Sequence, residues 1–560
     1  MPRLRLPAAA RDYSKSWRRG DLLAGVTVAA FLVPQVMAYA RVAGLDPATG
    51  LWAVVPALVI YAALGSSRSL SLGPEATTAL MTAAAIGPLT AGSPARYASL
   101  AATLALLTGV MALAAGLARL GFLADLLSRP VLVGYLSGVA LIMITGQLAA
   151  ATGVPVTGEG FVTQVASLAR HLGDAQLATS MITLVVLAFL FVTHARWPHL
   201  PAPLFAVLLA TAVVAAFGLQ RYGVQTVGAI PAGLPAPALP ALPAGTLAKL
   251  ALPAFSVFVV AFSDDVLTSR AFARHGERIN ANRELLALGT ANAAVSVFHG
   301  FPVSSSGSRT AIGVAAGGRT QVMSVTAAVT VIAVLYALRP LLAAFPLAAL
   351  AALVIFAATL LIDLTALRRL VIFRRGELVI AASAFLGVLV LGILYGVLVA
   401  IGVSVAELLV RVARPHDAIL GTVPGMAGMH DIDDYPQAQT IPGLVVYRYD
   451  APLFFANAQD FQRRALAAAR SGGPGNRARW FVLNVEANVE VDFTALEALD
   501  QVRDELAQNG TILALARVKQ DLLVRLEAFG LAKKIGPEML FPTLPSAVTA
   551  YQRWAAAHPV

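Results

Sequence analysis

Long apolar runs, such as Met181 to Val192 and Leu341 to Leu361, fill most of the chain ahead of Arg414-Pro415. In hydrocarbon every backbone N–H and C=O must be satisfied within the structure that crosses, so such runs can fold only as transmembrane helices. About 20 residues are needed per crossing, and we read about fourteen crossings. Composition agrees: 58% of the 560 residues are hydrophobic and 13% are charged, against roughly 25% charged in soluble domains. The first run contains Pro34, Gln35 and Tyr39 and follows a basic segment with no clear signal-peptide cleavage site. It reads as a first span.

Two stretches break this pattern. Leu70 to Leu80 (LSLGPEATTAL) and Ser304 to Gly313 (SSSGSRTAIG) open with Gly, Pro or Ser and then carry an ionisable residue, Glu75 or Arg309. Small or Pro residues there suit helices that begin partway through the membrane, with Gly73 and Pro74 opening the first. The free N–H groups and positive dipole end of such a half-helix favour an anion. A pair of interrupted spans in corresponding halves is the best sequence pointer to a transporter's central site. The spacing supports a duplication: Gln35 and Asp264 lie 229 positions apart, and Gly73 and Ser306 lie 233 apart. With seven spans per half, the second copy must be inverted.

The formal charge of +11 invites a nucleic-acid reading, but its placement argues for topology. Loops after even-numbered spans hold thirteen basic residues, among them Arg68, Arg129, Arg270, Arg319, Arg368, Arg369 and Arg374, and loops after odd-numbered spans hold six. Arg3, Arg5 and Arg11 precede the first span. Basic residues concentrate on the cytoplasmic side, so both termini are expected in the cytoplasm and no nucleic-acid partner is expected. The absence of cysteine removes disulfides and thiolate metal sites. The eight histidines, His199 and His275 among them, show no HxH or HxxxH spacing, so no structural metal site is expected.

Beyond Arg414-Pro415 the character changes. Leu444 to Tyr449, Trp480 to Val485 and Thr511 to Ala516 read as buried strands, and Ala458 to Arg470, Thr494 to Gln508 and Leu522 to Phe529 as amphipathic helices. That alternation predicts a small α/β domain with a largely parallel sheet. The expected organisation is a cytoplasmic segment over residues 1–20, a transmembrane domain over 21–415 and a cytoplasmic domain over 416–560.

Ordered motifs over nearly the whole chain resemble the sulfate-permease (SulP) family of anion transporters. They are Val33-Pro34-Gln35-Val36-Met37-Ala38-Tyr39-Ala40, Asp46 to Trp52, Leu64 to Arg68, Leu72-Gly73-Pro74-Glu75, Phe301 to Arg309, Gly317 to Gln321, and Tyr447 to Asn457. The last run resembles the core of a STAS domain, the module shared with anti-sigma-factor antagonists. The resemblance implies a polytopic α-helical membrane protein built as a seven-plus-seven inverted repeat with core and gate domains, a C-terminal STAS domain and a homodimer. It also carries substrate contact onto Gln35, Tyr39, Glu75, Ser306, Ser308 and Arg309.

The residues themselves make the same case. Ser304, Ser305, Ser306 and Ser308 offer hydroxyls beside free helix N–H groups, and Arg309 adds a planar cationic fork suited to oxyanions. A Ser/Gly stretch that only lets helices pack closely would not need the Arg. Gln35 and Tyr39, four apart, share one helix face. Glu75 would repel an anion unless it is protonated or paired, with Arg309 as one partner. Asp264 and Thr268 also share a face, on a span expected from about Lys249 to Phe272. A charge near mid-membrane costs roughly 2.5–3.5 kcal/mol on insertion scales, so Asp264 needs a reason to be there. By resemblance this is a coupling-ion position, and Na⁺ and H⁺ both remain open as its occupant; a structural pairing with Arg270 or Arg309 is the alternative. Asp265 points elsewhere and is the weaker candidate.

In the STAS-like domain, Phe493 stands where the antagonists carry a regulatory serine, and Thr494 is expected to cap a helix. A regulator could bind there, or the domain could hold a dimer together. Secondary active transport of a small anion is the leading reading: sulfate, with bicarbonate or a dicarboxylate as the other substrates. A nucleobase permease on the same fold and a membrane-anchored STAS signalling protein are the alternatives. No GxxxxGK[ST] loop is present, which argues against ATP-driven pumping by this chain. No enzymatic activity and no cofactor beyond the coupling ion are expected.

Overall fold

A computed structural model of the chain describes residues 14–89, 93–122, 128–154, 161–197, 200–240, 245–274, 277–373, 375–471 and 478–559. Arg3, Arg5, Arg11, His199, His275 and Arg374 lie outside the described residues. The chain divides into two compact units, Met1–Ser404 and Val405–Val560.

The first unit begins with α1 (Arg18–Val42), α2 (Pro47–Leu64), β1 (Leu72–Gly73), α3 (Ala76–Ile86), α4 (Pro94–Leu117), α5 (Arg129–Thr152), α6 (Phe161–Arg170), α7 (Leu177–Arg196) and α8 (Ala202–Ala216). It continues with α9 (Thr246–Ala271), α10 (Ala281–Val297), β2 (Ser304–Ser305), α11 (Gly307–Ala315), α12 (Val322–Ala337), α13 (Arg339–Ala343), α14 (Leu347–Leu360), α15 (Leu364–Phe373) and α16 (Arg375–Leu391), and α17 (Ile393–Ala413) runs across the boundary after Ser404. The helix carrying Asp264, α9, starts three residues earlier than the sequence suggests and ends one residue sooner.

Among the described residues, eight helices are long and apolar enough to cross a membrane. Setting aside the short α6, α13 and α15, the helices form two series of seven: α1–α5 with α7 and α8, then α9–α12 with α14, α16 and α17. In each series the third helix is cut short, to 11 residues in α3 and 9 in α11, and a two-residue strand precedes it. An odd number of crossings per series inverts the second copy relative to the first.

Packing sorts these helices into two groups. In one, α1, α2, α3 and α4 pack with α9, α10, α11 and α12; in the other, α5, α7 and α8 pack with α14 and α16. The groups meet where α1 touches α5, α8 and α14, and α3 touches α14. Local signals start the elements. Asp46 caps α2 by accepting from the Ala48 amide at 2.8 Å, with Pro47 as the first helical residue. Gly50 then lets α2 approach α1 closely: a Cβ there would sit 2.0 Å from the Val36 carbonyl oxygen.

The second unit contains β3 (Asp417–Thr422), β4 (Met429–Asp431), β5 (Leu444–Tyr449), α18 (Ala458–Arg470), β6 (Trp480–Asn484), α19 (Phe493–Gln508), β7 (Ile512–Ala516), α20 (Gln520–Phe529), α21 (Leu531–Ile535), β8 (Leu540–Phe541) and α22 (Leu544–Ala557). Its six strands lie in the order β4-β3-β5-β6-β7-β8, with β5 to β8 parallel and β3 and β4 antiparallel. Alternating side chains fill two cores. Tyr447, Tyr449, Phe481 and Leu483 pack with Phe461 and Leu499 on one face, and Leu444, Val446, Trp480 and Val482 pack with Leu544 and Tyr551 on the other. Thr494 does not cap α19. Asp492 does, accepting from the Ala495 amide at 2.8 Å, while its other oxygen accepts from the Phe455 amide at 2.7 Å. A carboxylate placed to serve two loops displaces the hydroxyl two residues on.

Gly50→Ala should strongly destabilise the membrane unit, because the obstructing atom is backbone and cannot rotate away; overpacking typically costs about 1–3 kcal/mol. Gly146→Ala, in α5 with nothing within 4 Å of the added carbon, should leave stability unchanged or raise it by up to about 1 kcal/mol. Thermal unfolding of the two variants in detergent checks the contrast.

Candidate functional site

The two interrupted spans meet through their strands. β1 and β2 pair antiparallel, Leu72 opposite Ser305 and Gly73 opposite Ser304. The Ser306 amide donates to the Ser71 carbonyl at 3.1 Å, and the Ser71 amide donates to Thr310 Oγ1 at 3.0 Å. Buried side chains satisfy the flanking backbone. Asn292 on α10 accepts from the Val303 amide at 2.9 Å and donates to its carbonyl at 3.1 Å. Gln321 donates to the carbonyls of Ser67 and Leu70 at 3.0 and 2.9 Å. Gln321 ends the Gly317 to Gln321 motif quoted above but was given no role, and Asn292 was not singled out from the sequence, although a buried amide in an apolar helix such as α10 is the kind of signal that could have done so.

The ends of the half-helices differ. Glu75 caps α3, its carboxylate accepting from the Thr77 amide at 2.7 Å, so Gly73 and Pro74 precede the helix rather than open it. No side chain caps α11, which begins at Gly307 after Ser306. The two ends therefore present opposite characters: a carboxylate on one, free amides and hydroxyls on the other.

A cavity of about 270 Å³ lies between them. From the first helix group it is lined by Gln35, Tyr39, Glu75, Asp264, Thr268 and residues 304–308, with Phe31, Thr77 and Val260. From the second group come Leu132 and Leu136 of α5, Pro203 of α8, and Leu353, Phe356 and Leu360 of α14. It thus sits on the seam between the two groups, polar on one wall and apolar on the other. Gln35 Nε2 donates to the Tyr39 hydroxyl at 3.0 Å, Ser306 and Ser308 share a hydrogen bond of 3.2 Å, and Ser305 Oγ donates to Asp264 at 3.0 Å.

Gly73, Pro74 and Arg309 stand behind this lining. Arg309 is fully buried and donates through Nη1 to the Pro74 carbonyl at 2.7 Å and, more weakly, to Gln35 Oε1 at 3.5 Å. Its Nε and Nη2 have no hydrogen-bond partner. A Cβ on Gly73 would meet Val54 Cγ2 at 2.8 Å, so the missing side chain lets the strand lie close against α2, and it would only touch Nη2 of Arg309, at 3.4 Å. No ion pair joins Glu75 to Arg309 among the described residues, but the charges of both Glu75 and Asp264 reach it. Asp265 does not line the cavity. It is buried on the far side of α9 together with Glu284, which accepts from Tyr61 at 2.7 Å.

Residues 19–384 match the family model of the sulfate permease family, and residues 435–547 match that of the STAS domain. The chain belongs to the sulfate permease family. A probable sulfate transporter of Mycobacterium tuberculosis is 56% identical over 545 residues, which is 97% of each chain. Low affinity sulfate transporter 3 of Stylosanthes hamata is 30% identical over 574 residues, covering 96% of this chain and 88% of its own. Among solved structures, the murine Solute Carrier 26 family member A9 anion transporter superposes with a TM-score of 0.87 at 24% identity, over 97% of this chain and 92% of its own. The transmembrane domain of a cyanobacterial bicarbonate transporter gives 0.60 at 23% identity, over 70% and 98%. The fold is accordingly the seven-plus-seven repeat with core and gate groups and a STAS domain, and the protein is a multi-pass membrane transporter of anions.

Asn292→Leu would leave the Val303 amide and carbonyl buried without partners, at about 1–3 kcal/mol for each orphaned group. The variant should melt well below the wild type and lose substrate binding in parallel, measurable by thermal shift with and without sulfate.

Proposed function

We propose that this permease carries sulfate into the cell by alternating access, coupled to a cation that binds at the Asp264 face. The observation that carries the reading is Arg309: a fully buried guanidinium with two unpartnered nitrogens behind a cavity lined by the uncapped end of α11. Leaving such donors unmade is costly unless a ligand completes them. An oxyanion accepts from several donors at once, so Ser306, Ser308 and the amides of Gly307 and Ser308 would hold it while Arg309 supplies the field. The similar plant and mycobacterial proteins are named as sulfate transporters, which favours sulfate over bicarbonate or a dicarboxylate.

Charge argues for coupling. With Glu75 and Asp264 ionised, two negative charges surround one positive, a net of −1 where an anion must bind. A carboxylate about 6 Å from sulfate, which carries two negative charges, would oppose it by ~5–6 kcal/mol at an effective dielectric constant near 20. A cation at Asp264 and Thr268, or a proton on Asp264 or Glu75, removes that opposition, so cation and anion bind together. Carboxylate and hydroxyl oxygens suit Na⁺ as well as H⁺. Movement of the apolar α5 and α14 wall across the polar wall would open the seam to each side in turn. Both termini and the STAS domain lie in the cytoplasm in this reading, and the functional unit is a homodimer whose STAS domain receives a regulator.

Purified protein in liposomes should take up labelled sulfate above the empty-vesicle rate; uptake confined to uracil-like solutes would overturn the assignment. Arg309→Ala should abolish uptake without unfolding the protein. Ser308→Ala, which removes one donor of several to a charged ligand, should raise the half-saturating concentration by about tenfold or more, from roughly 1.5–3 kcal/mol per such bond.

The coupling site has its own test. Asp264→Asn imitates the neutralised carboxylate, so it should still bind sulfate but lose stimulation by Na⁺ or by acidic pH, whichever the wild type shows. Glu75→Gln, measured alongside, identifies the proton carrier if Asp264→Asn keeps the wild-type dependence on both.

A further inference from the structure

A second polar site lies on the first unit, away from the substrate cavity. Where α5, α15 and α16 meet there is a groove of about 440 Å³, lined chiefly by Arg129 and Val133 of α5, Arg369, Leu370 and Phe373 of α15, and Glu377 of α16. α15 is amphipathic. Ala366 is buried and Leu370 half-buried, while Arg368 and Arg369 are exposed. A break at residues 361–363 separates it from α14, and Asp363 accepts from the Ala366 amide at 2.8 Å to start it afresh. A short helix with a basic face and bulky apolar side chains suits the membrane interface rather than a crossing.

Two facts point to an occupant. The side chains of Arg129 and Arg369, both exposed, make no ion pair or hydrogen bond among the described residues, and both residues line one groove. Beside them Ile372 is 85% exposed and Phe373 75%, which is unfavourable against water and natural against acyl chains. Both arginines belong to loops that follow even-numbered spans, the side where the chain concentrates its positive charge, and the fold brings those two distant loops together. The charged lining sums to +1, two guanidiniums against the Glu377 carboxylate.

We propose that this groove binds one phospholipid with a singly charged phosphodiester headgroup, drawn from the membrane leaflet on the basic side. The phosphate accepts from Arg129 and Arg369, and one acyl chain runs along Val133, Leu370 and Phe373. A zwitterionic lipid brings the same phosphate and an ammonium for the Glu377 carboxylate, but a lining with a net charge of +1 favours the headgroup that is negative overall. The lipid would also bear on transport. α5 turns Leu132 and Leu136 into the substrate cavity, and Leu360 and Leu361, immediately ahead of α15, line it too. A ligand clamped across α5 and α15 therefore holds two parts of the apolar wall together.

Native mass spectrometry of the full chain, titrated with phosphatidylglycerol or phosphatidylcholine, reads the site without any transport assay. Wild-type protein should retain one phosphatidylglycerol per chain in clear preference to phosphatidylcholine. Arg129→Gln and Arg369→Gln should each reduce that preference by about fivefold, and the double variant by about 25-fold. Arg129→Lys with Arg369→Lys should keep most of it, because the charge remains. A wild type that binds both lipids equally, or a double Gln variant with wild-type preference, would overturn the proposal. So would loss of a dimer in place of loss of lipid in the double Gln variant, since the groove would then belong to a second copy of the chain. If the double Gln variant fails to fold, the single Arg369→Gln change on the exposed helix carries the test. Lipid preference can hold even if sulfate is not the substrate, so the two readings fail separately.

Discussion

The two-residue pairing of Leu72–Gly73 with Ser304–Ser305 is the constraint on which the membrane unit depends. Interrupting a helix inside a bilayer strands backbone donors and acceptors that water cannot reach. Here each interrupted span supplies the partner for the other, and Asn292, Gln321 and Thr310 complete the flanking bonds. Once the strands are joined, the starts of α3 and α11 must face one another. The polar cavity is a consequence of satisfying the backbone.

That geometry also explains the burial of Arg309. A lone guanidinium would not persist at such a depth, but the buried carbonyl of Pro74, which the interruption of the span leaves outside any helix, gives it a seat. Its remaining donors are held in reserve behind the serine-rich wall. The same strands set Ser305 against Asp264, so a carboxylate on a continuous helix, α9, becomes part of a site built from two broken ones. The proposed coupling of cation to anion rests on this proximity of unlike charges.

Much of the architecture was legible beforehand, for physical reasons. Apolar runs leave a bilayer-embedded backbone no choice but helix, and the interruptions at Gly73 and Ser306 carry the residues that only a half-helix start would need. The strands of the second unit were legible as short runs rich in Val, Leu and aromatic residues, while the structure showed that Tyr447 and Tyr449 face one core and Leu444 and Val446 the other. The capping of α19 was misread. Asp492 and Thr494 are both competent caps, and the choice between them depends on the Phe455 amide, which approaches from a loop 37 residues earlier.

The sequence alone determined that the chain crosses a membrane many times, that it is duplicated and that an α/β domain follows, and it marked Gln35, Tyr39, Glu75, Asp264 and the serines near Arg309 as the candidates that the structure gathers at one cavity. These follow from periodicity, hydropathy and residue type, which are local properties. Tertiary structure decided how they meet. It put Arg309 behind the cavity rather than on its surface, made Glu75 a helix cap instead of an arginine partner, and set Leu132, Leu353 and Phe356 as the opposing wall. The seat of Arg309 depends on a carbonyl 235 positions away and the opposing wall on helices distant in the chain, which no local pattern records, whereas the Glu75 cap is a bond to an amide two residues on that wins over the distant arginine.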